Sequence, residues 1–180
     1  MKDDIIKEVE LPKPLHIEQH GYILKIKGPK GEVSREFHHP KVLVQVVGGK
    51  ITLTAKKATK REKRNLGTFM SHIKNIIQGV QEPYVYKLKI CSGHFPMSVS
   101  VSGKVFILKN FFGESIPRKV TLPDGVQVKI NGTEIVVESP DLEAAGQAAA
   151  KIELLCRVKN RDIRIFQDGC YITHKAGKAI

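Results

Sequence analysis

The chain has no tryptophan, three cysteines among its 180 residues, and only 6% aromatic side chains. Each shortage excludes something. The cysteines (Cys91, Cys156 and Cys170) are odd in number and too far apart for a disulfide framework or a CxxC pair, which points to a reducing compartment. So few aromatic rings argue against base stacking on single strands as the main mode of recognition. No run reaches the roughly 18 apolar residues that a membrane-spanning helix needs, so no membrane partner is expected. The first residues, Met1-Lys2-Asp3-Asp4-Ile5-Ile6-Lys7-Glu8, lack a cationic stretch followed by a long apolar core, so a secretory signal is not expected and the chain reads as cytoplasmic.

Catalytic signatures are missing too. Gly28-Pro29-Lys30-Gly31 lacks the spacing of a phosphate loop, and there is no GxGxxG, GxSxG or HExxH. Cys91-x-x-His94 and Cys170-x-x-x-His174 hold zinc-compatible residue types, but the pairs are isolated from each other, and a packed thiol beside a polar histidine is the ordinary reading. Asn131-Gly132-Thr133 matches a glycosylation sequon and reads simply as a turn. The expectation is a protein that is not an enzyme and needs no cofactor or metal.

Acidic residues are also in deficit: 18 against 30 Lys plus Arg, a formal net charge of +12. A pI near 9.7 is the footprint of a protein that sits on a polyanion, where each neutralised phosphate releases counterions. The excess is spread along the chain, with 16 basic and 9 acidic residues up to Pro83 and 14 and 9 beyond it.

Two segments run through the same programme. Tyr22–Lys27 alternates as a strand, and Val42–Val47 and Ile51–Thr54 flank Gly48-Gly49 as a hairpin. Leu66, Phe69, Met70, Ile73, Ile76, Ile77 and Val80 then recur at helical spacing, with Thr59 and Glu62 forming a capping box and Gly79 as a stop. In the second segment Val105–Lys109 is a strand, Gly113-Glu114 a turn, and Val126–Ile130 and Ile135–Glu138 flank Asn131-Gly132. A helix is expected from Ser139, with Pro140 at its first position and Leu142, Ala145, Ala149, Ile152 and Leu155 on its apolar face. Val44-Gln45-Val46 matches Val126-Gln127-Val128 at an offset of 82 residues, and Gly67, Ile73 and Ile76 match Gly146, Ile152 and Leu155 at 79. The predicted fold is α+β, an internal duplication of two small modules, each an antiparallel sheet with one helix packed on it. The modules span residues 1–82, with a helix near 60–79, and 83–180, with a helix near 140–156 and a basic tail.

Two basic clusters stand out. Lys56, Lys57, Lys60, Arg61, Lys63 and Arg64 crowd the start of the first helix, where cations oppose the helix dipole. They read either as a solvated loop or as a secondary phosphate or partner contact. The second cluster follows the Ala-rich helix: Arg157, Lys159, Arg161 and Arg164, then Lys175 and Lys178. Arginine binds phosphate bidentately, and this cluster is interleaved with Phe166 and Tyr171, which suits tracking the backbone of a folded RNA.

Lys27-Gly-Pro-Lys-Gly31, Ser71-His-Ile-Lys-Asn-Ile-Ile-Gln-Gly-Val80, His94-Phe-Pro-Met97 and the run Arg164-x-Phe166-x-Asp168-Gly169-x-Tyr171-Ile172-x-x-Lys175 together resemble the large-subunit ribosomal protein L6 family, in its archaeal and eukaryotic branch. The resemblance covers essentially the whole chain. It implies a structural protein that binds large-subunit rRNA near the sarcin-ricin loop at the stalk base, beside neighbouring large-subunit proteins. Transient contact with translational GTPases falls to the N-terminal repeat. By position it assigns RNA contacts to Arg157, Lys159, Arg161, Arg164 and Lys175, and more weakly to His94; Lys178, in the same basic tail, is a further RNA-binding candidate. Asp168-Gly169 reads as a turn that aims the tail, and Tyr171 as a buried ring. Two other classes stay open on the residues alone: an adaptor for acidic proteins, and a small metalloenzyme on Cys91, His94, Cys170 and His174.

Overall fold

The computed structural model describes residues 3–12 and 14–180. It divides into two compact units, one ending at Pro83 and the other running from Tyr84 to Ile180.

The first unit carries strands β1 (Asp3–Glu10), β2 (His16–His20), β3 (Ile23–Gly28), β4 (Gly31–Glu36), β5 (Leu43–Val47) and β6 (Lys50–Ala58), then helix α1 (Lys60–Gln81). The strands form two antiparallel sheets, ordered β1-β6-β5 and β2-β3-β4. Gly48 and Gly49 join β5 to β6 with φ of +58° and +80°, the paired positive angles that a two-residue hairpin loop of the commonest kind demands. Alternation along β6 puts Ile51, Leu53 and Ala55 on one buried face. Against them, α1 lays Leu66, Ile73, Ile76, Ile77 and Val80, while Phe69 and Met70 pack at the margin.

The second unit carries β7 (Tyr84–Cys91), β8 (Ser98–Ser102), β9 (Val105–Lys109), a single 3-10 turn (Phe111–Gly113), β10 (Arg118–Thr121), β11 (Gln127–Asn131), β12 (Glu134–Ser139), helix α2 (Leu142–Leu155), β13 (Gly169–Lys175) and β14 (Lys178–Ala179). Its sheets are ordered β10-β9-β8 and β11-β12-β7-β13-β14. The order β7 to β12 then α2 repeats β1 to β6 then α1, so the α+β fold is a duplication, with each unit's strands arranged as two sheets beside one helix. What the second unit adds after its helix is β13, paired along the edge of β7, and the short β14 beside it. Ala145, Ala148, Ala149 and Ile152 of α2 are fully buried, the small side chains letting helix and sheet approach closely.

Several local expectations need correction. Helix α1 passes through Gly79, which is buried, and ends at Gln81, because Glu82 before Pro83 is driven to extended angles (φ −134°, ψ 114°). Helix α2 begins at Leu142 with Asp141 as its N-cap, accepting from the Glu143 amide. Ser139 instead ends β12, paired with Tyr84, and its hydroxyl donates to the Gly125 carbonyl and accepts from the Asp141 amide. The loop between β11 and β12 is Gly132-Thr133, one residue later than the expected dipeptide, since Asn131 still pairs with Glu134.

Candidate nucleic-acid interface

The geometry of the second unit is organised by Asp168. Pairing of β13 with β7 sets Gly169 opposite Cys91, so the residue before β13 faces the loop that leaves β7. The Asp168 carboxylate fills that loop. Oδ1 accepts from the Gly93 amide at 2.9 Å and from His94 Nδ1 at 3.0 Å; Oδ2 accepts from the His94 amide at 3.0 Å and the Phe95 amide at 3.3 Å. A carboxylate has no proton to give, so the His94 ring must donate through Nδ1. Burial alone would raise the Asp168 pKa; the donors from His94, Gly93 and Phe95 outweigh it and hold the group down at about 2. Asp168-Gly169 is therefore a clamp between two segments and not the turn that the motif suggests, Gly169 already lying in β13. Tyr171 is likewise not buried: the residue is 41% exposed, and its hydroxyl donates to the Gln167 carbonyl.

Around the clamp lies an aromatic cluster that no local sequence pattern announces. The His94 ring lies 4.8 Å from Phe166, Phe166 lies 5.7 Å from Phe112, and Phe112 touches both Phe111 and Phe95. Arg161 spreads its guanidinium over Phe112 at 5.0 Å and Phe166 at 4.9 Å. Arg118, absent from the sequence-based candidates, sits 4.3 Å above Phe111 and donates to both Glu114 carboxylate oxygens. Its Nη1 donates to the carbonyls of Leu155 and Arg157, closing the end of α2 with a charged cap. The one available signal is Glu114 four residues before Arg118; the contacts with 155 and 157 have none.

Arg157, Lys159, Arg161 and Arg164 all lie exposed on the loop between α2 and β13, together with Ile163 and Ile165. Arg164 forms an ion pair with Asp162 at 2.7 Å yet keeps 87% of its side chain exposed. His94 edges the same loop, and an open groove of 760 Å³ runs between Ser92-Gly93-His94 and Ile163, Ile165 and Gln167. Lys175 and Lys178 are not gathered there: they face each other across the β13–β14 turn, about 20 Å along the strand from Asp168.

In the first unit all six of Lys56, Lys57, Lys60, Arg61, Lys63 and Arg64 are exposed. Glu62 is turned inward: it accepts from the Thr59 amide and hydroxyl, and Lys41 approaches at 3.7 Å. Those hydrogen bonds from Thr59 hold its carboxyl down at about 2. Thr59 in turn accepts from the Arg61 amide, so the capping box already occupies part of the helix N-terminus. Lys57 has φ of +48° at an irregularity in the β1–β6 ladder, its amide donating to Asp4.

Among the described residues no group of three or more His, Cys, Asp or Glu side chains is placed to hold a metal ion. His94 is committed to Asp168, and His174 lies beside the Thr173 hydroxyl. Among the described residues no helix is long and apolar enough to cross a membrane.

The family described as Ribosomal protein L6 matches this chain twice, at residues 11–83 and 95–169, once in each unit. Similar proteins named large ribosomal subunit protein uL6 span the whole length. The one from Nanoarchaeum equitans is 48% identical, covering 100% of this chain and 98% of its own. That of Methanosarcina mazei is 40% identical over 98% and 100%, and that of Haloarcula marismortui 38% over 95% and 96%. A repeated match that follows the duplication seen in the strand order, with relatives alike from end to end, settles the lineage: the chain belongs to the ribosomal protein L6 family.

Proposed function

We propose that the chain is a structural constituent of the large ribosomal subunit that binds large-subunit rRNA near the sarcin-ricin loop and stalk base. One observation carries the reading. Four exposed cations, Arg157, Lys159, Arg161 and Arg164, share a single loop whose end is fastened by Asp168 to the loop after β7. Such an arrangement offers planar, pre-positioned guanidinium groups to phosphates, which is how proteins read RNA by backbone and shape. Arg161 is held against two rings, so little of its freedom is lost on binding. In this reading His94 is a positioning residue for the Asp168 clamp that also edges the surface. Lys175 and Lys178 touch a separate stretch of backbone, and the cluster from Lys56 to Arg64 is a secondary contact facing the side where translational GTPases dock. The same reading places the chain in the cytoplasm, on the ribosome, among neighbouring large-subunit proteins. It makes the protein a scaffold and not an enzyme.

The test is a nuclease footprint of the full chain on large-subunit rRNA, beside an unrelated RNA of equal length at the same salt. Protection confined to the sarcin-ricin region, falling steeply as salt rises, is the expected result. Equal protection of both RNAs, or affinity that ignores salt, rejects it; capture of a protein that survives ribonuclease would favour the adaptor.

A further inference from the structure

The cationic loop begins and ends on a thiol. Cys156 caps the C-terminus of α2 just before Arg157, and Cys170 is the second residue of β13, just after Asp168-Gly169. Both belong to one apolar core, with 4% and 1% of their surface exposed. A cavity of 380 Å³ is lined by both cysteines together with Leu154, Val158 and Phe166. We propose that Cys156 and Cys170 form a modification site, oxidised by a small peroxide to a disulfide that staples the neck of the cationic loop.

The chemistry balances within the pair and the oxidant. Thiolate reactivity falls to Cys156: donation from Cys170 lowers its pKa against burial, which raises it, and the Arg118 guanidinium lowers it further. Cys170 is pushed up, by its hydrogen bond to Cys156 and by burial, so it keeps its proton and acts second. Cys156 Sγ attacks one peroxide oxygen, the O–O bond breaks, and the departing hydroxide takes a proton to leave as water, giving the sulfenic acid. Cys170 Sγ then displaces that oxygen, forming the S–S bond as the S–O bond breaks, and its thiol proton leaves with the hydroxide as a second water. Two thiols have lost two electrons and two protons; the peroxide has been reduced to two waters. Only an oxidant small enough for the cavity fits the site.

The third thiol supplies the control. Cys91 is half-exposed on β7, opposite Gly169, so mere accessibility would favour it over the buried pair. The experiment treats the reduced full chain with hydrogen peroxide, quenches, unfolds it, alkylates free thiols and maps peptides by mass under non-reducing conditions. The expected product joins the peptides carrying Cys156 and Cys170, leaves Cys91 alkylated, and reverts with a thiol reductant. It should form about tenfold faster in the folded chain than in urea, because folding holds the partners together. Cys91→Ser should form the link unchanged, which keeps the test valid even if Cys156→Ser or Cys170→Ser fails to fold. Oxidation confined to Cys91, a link through Cys91, or equal rates folded and unfolded would overturn the proposal. No RNA enters the assay, so its outcome is independent of the RNA-binding reading.

Discussion

Asp168 shows how one side chain can hold a surface without touching a ligand. Its carboxylate satisfies three consecutive amides and an imidazole while 3% exposed. An amide in its place turns one oxygen into a donor that faces two other donors, and removing the charge weakens the remaining bonds. Asp168→Asn should lower unfolding free energy by about 2 kcal/mol, the range for buried hydrogen bonds to a charged group, read as a fall in the urea midpoint. The pH dependence follows from a depressed native pKa. The folded group titrates at about 2 and an unperturbed aspartate at 3.8, so its contribution is complete above that ordinary value and is lost as pH falls from there toward 2. Acid titration of wild type should show this loss, and the Asn variant should lack that component; identical acid profiles would refute the clamp. None of this is legible in the sequence, because the partners stand 73 to 75 positions away and no local pattern encodes such a contact. Tyr171 departs from expectation for a related reason: alternation along β13 assigns it a face, but only the neighbouring loop decides whether that face is covered.

At the scale of the element, two glycines of the first unit make opposite predictions. Gly67 lies within α1, and a Cβ added there meets nothing within 4 Å. Gly67→Ala should therefore stabilise by about 1 kcal/mol through helix propensity alone, seen as a higher urea midpoint. Gly28 closes β3 against the end of α1, where an added Cβ would meet the Val80 carbonyl oxygen at 2.7 Å and Leu15 Cδ2 at 2.8 Å. That carbonyl already accepts from the Lys30 amide at 3.1 Å, so it cannot withdraw freely. Gly28→Ala should cost about 1–3 kcal/mol, as overpacking does. If both variants moved the midpoint in the same direction, the packing of α1 on the β3–β4 turn would be wrong. What the sequence reveals at this scale is whatever is decided within one turn. The Thr59–Glu62 box is such a case, its partners three residues apart. Ser139 escapes such a reading because serine serves equally at a strand end and as a cap; its bonds to Gly125 and Asp141 choose the first.

For the whole molecule, the duplication is readable because a repeat needs only internal comparison, and the charge because it needs only a count. Where the charge acts is not readable, since both units are basic and only folding decides which cations converge. Arg157, Lys159, Arg161 and Arg164 share one fastened loop, whereas Lys60, Arg61, Lys63 and Arg64 line a helix start already partly filled by its own capping box. Changing either set of four to Gln removes the same net charge, so long-range attraction to RNA falls equally in both variants. Any difference between them reports direct phosphate binding. The second-unit variant should lose more than tenfold in affinity for large-subunit rRNA at moderate salt. Its slope of log K against log salt should shrink by about 0.7–0.9 for each phosphate no longer neutralised. The first-unit variant should keep nearly the wild-type slope, with only a small drop in affinity. Equal slopes in the two variants would mean that RNA senses only the total charge, and the fastened loop would lose its claim to be the anchoring surface.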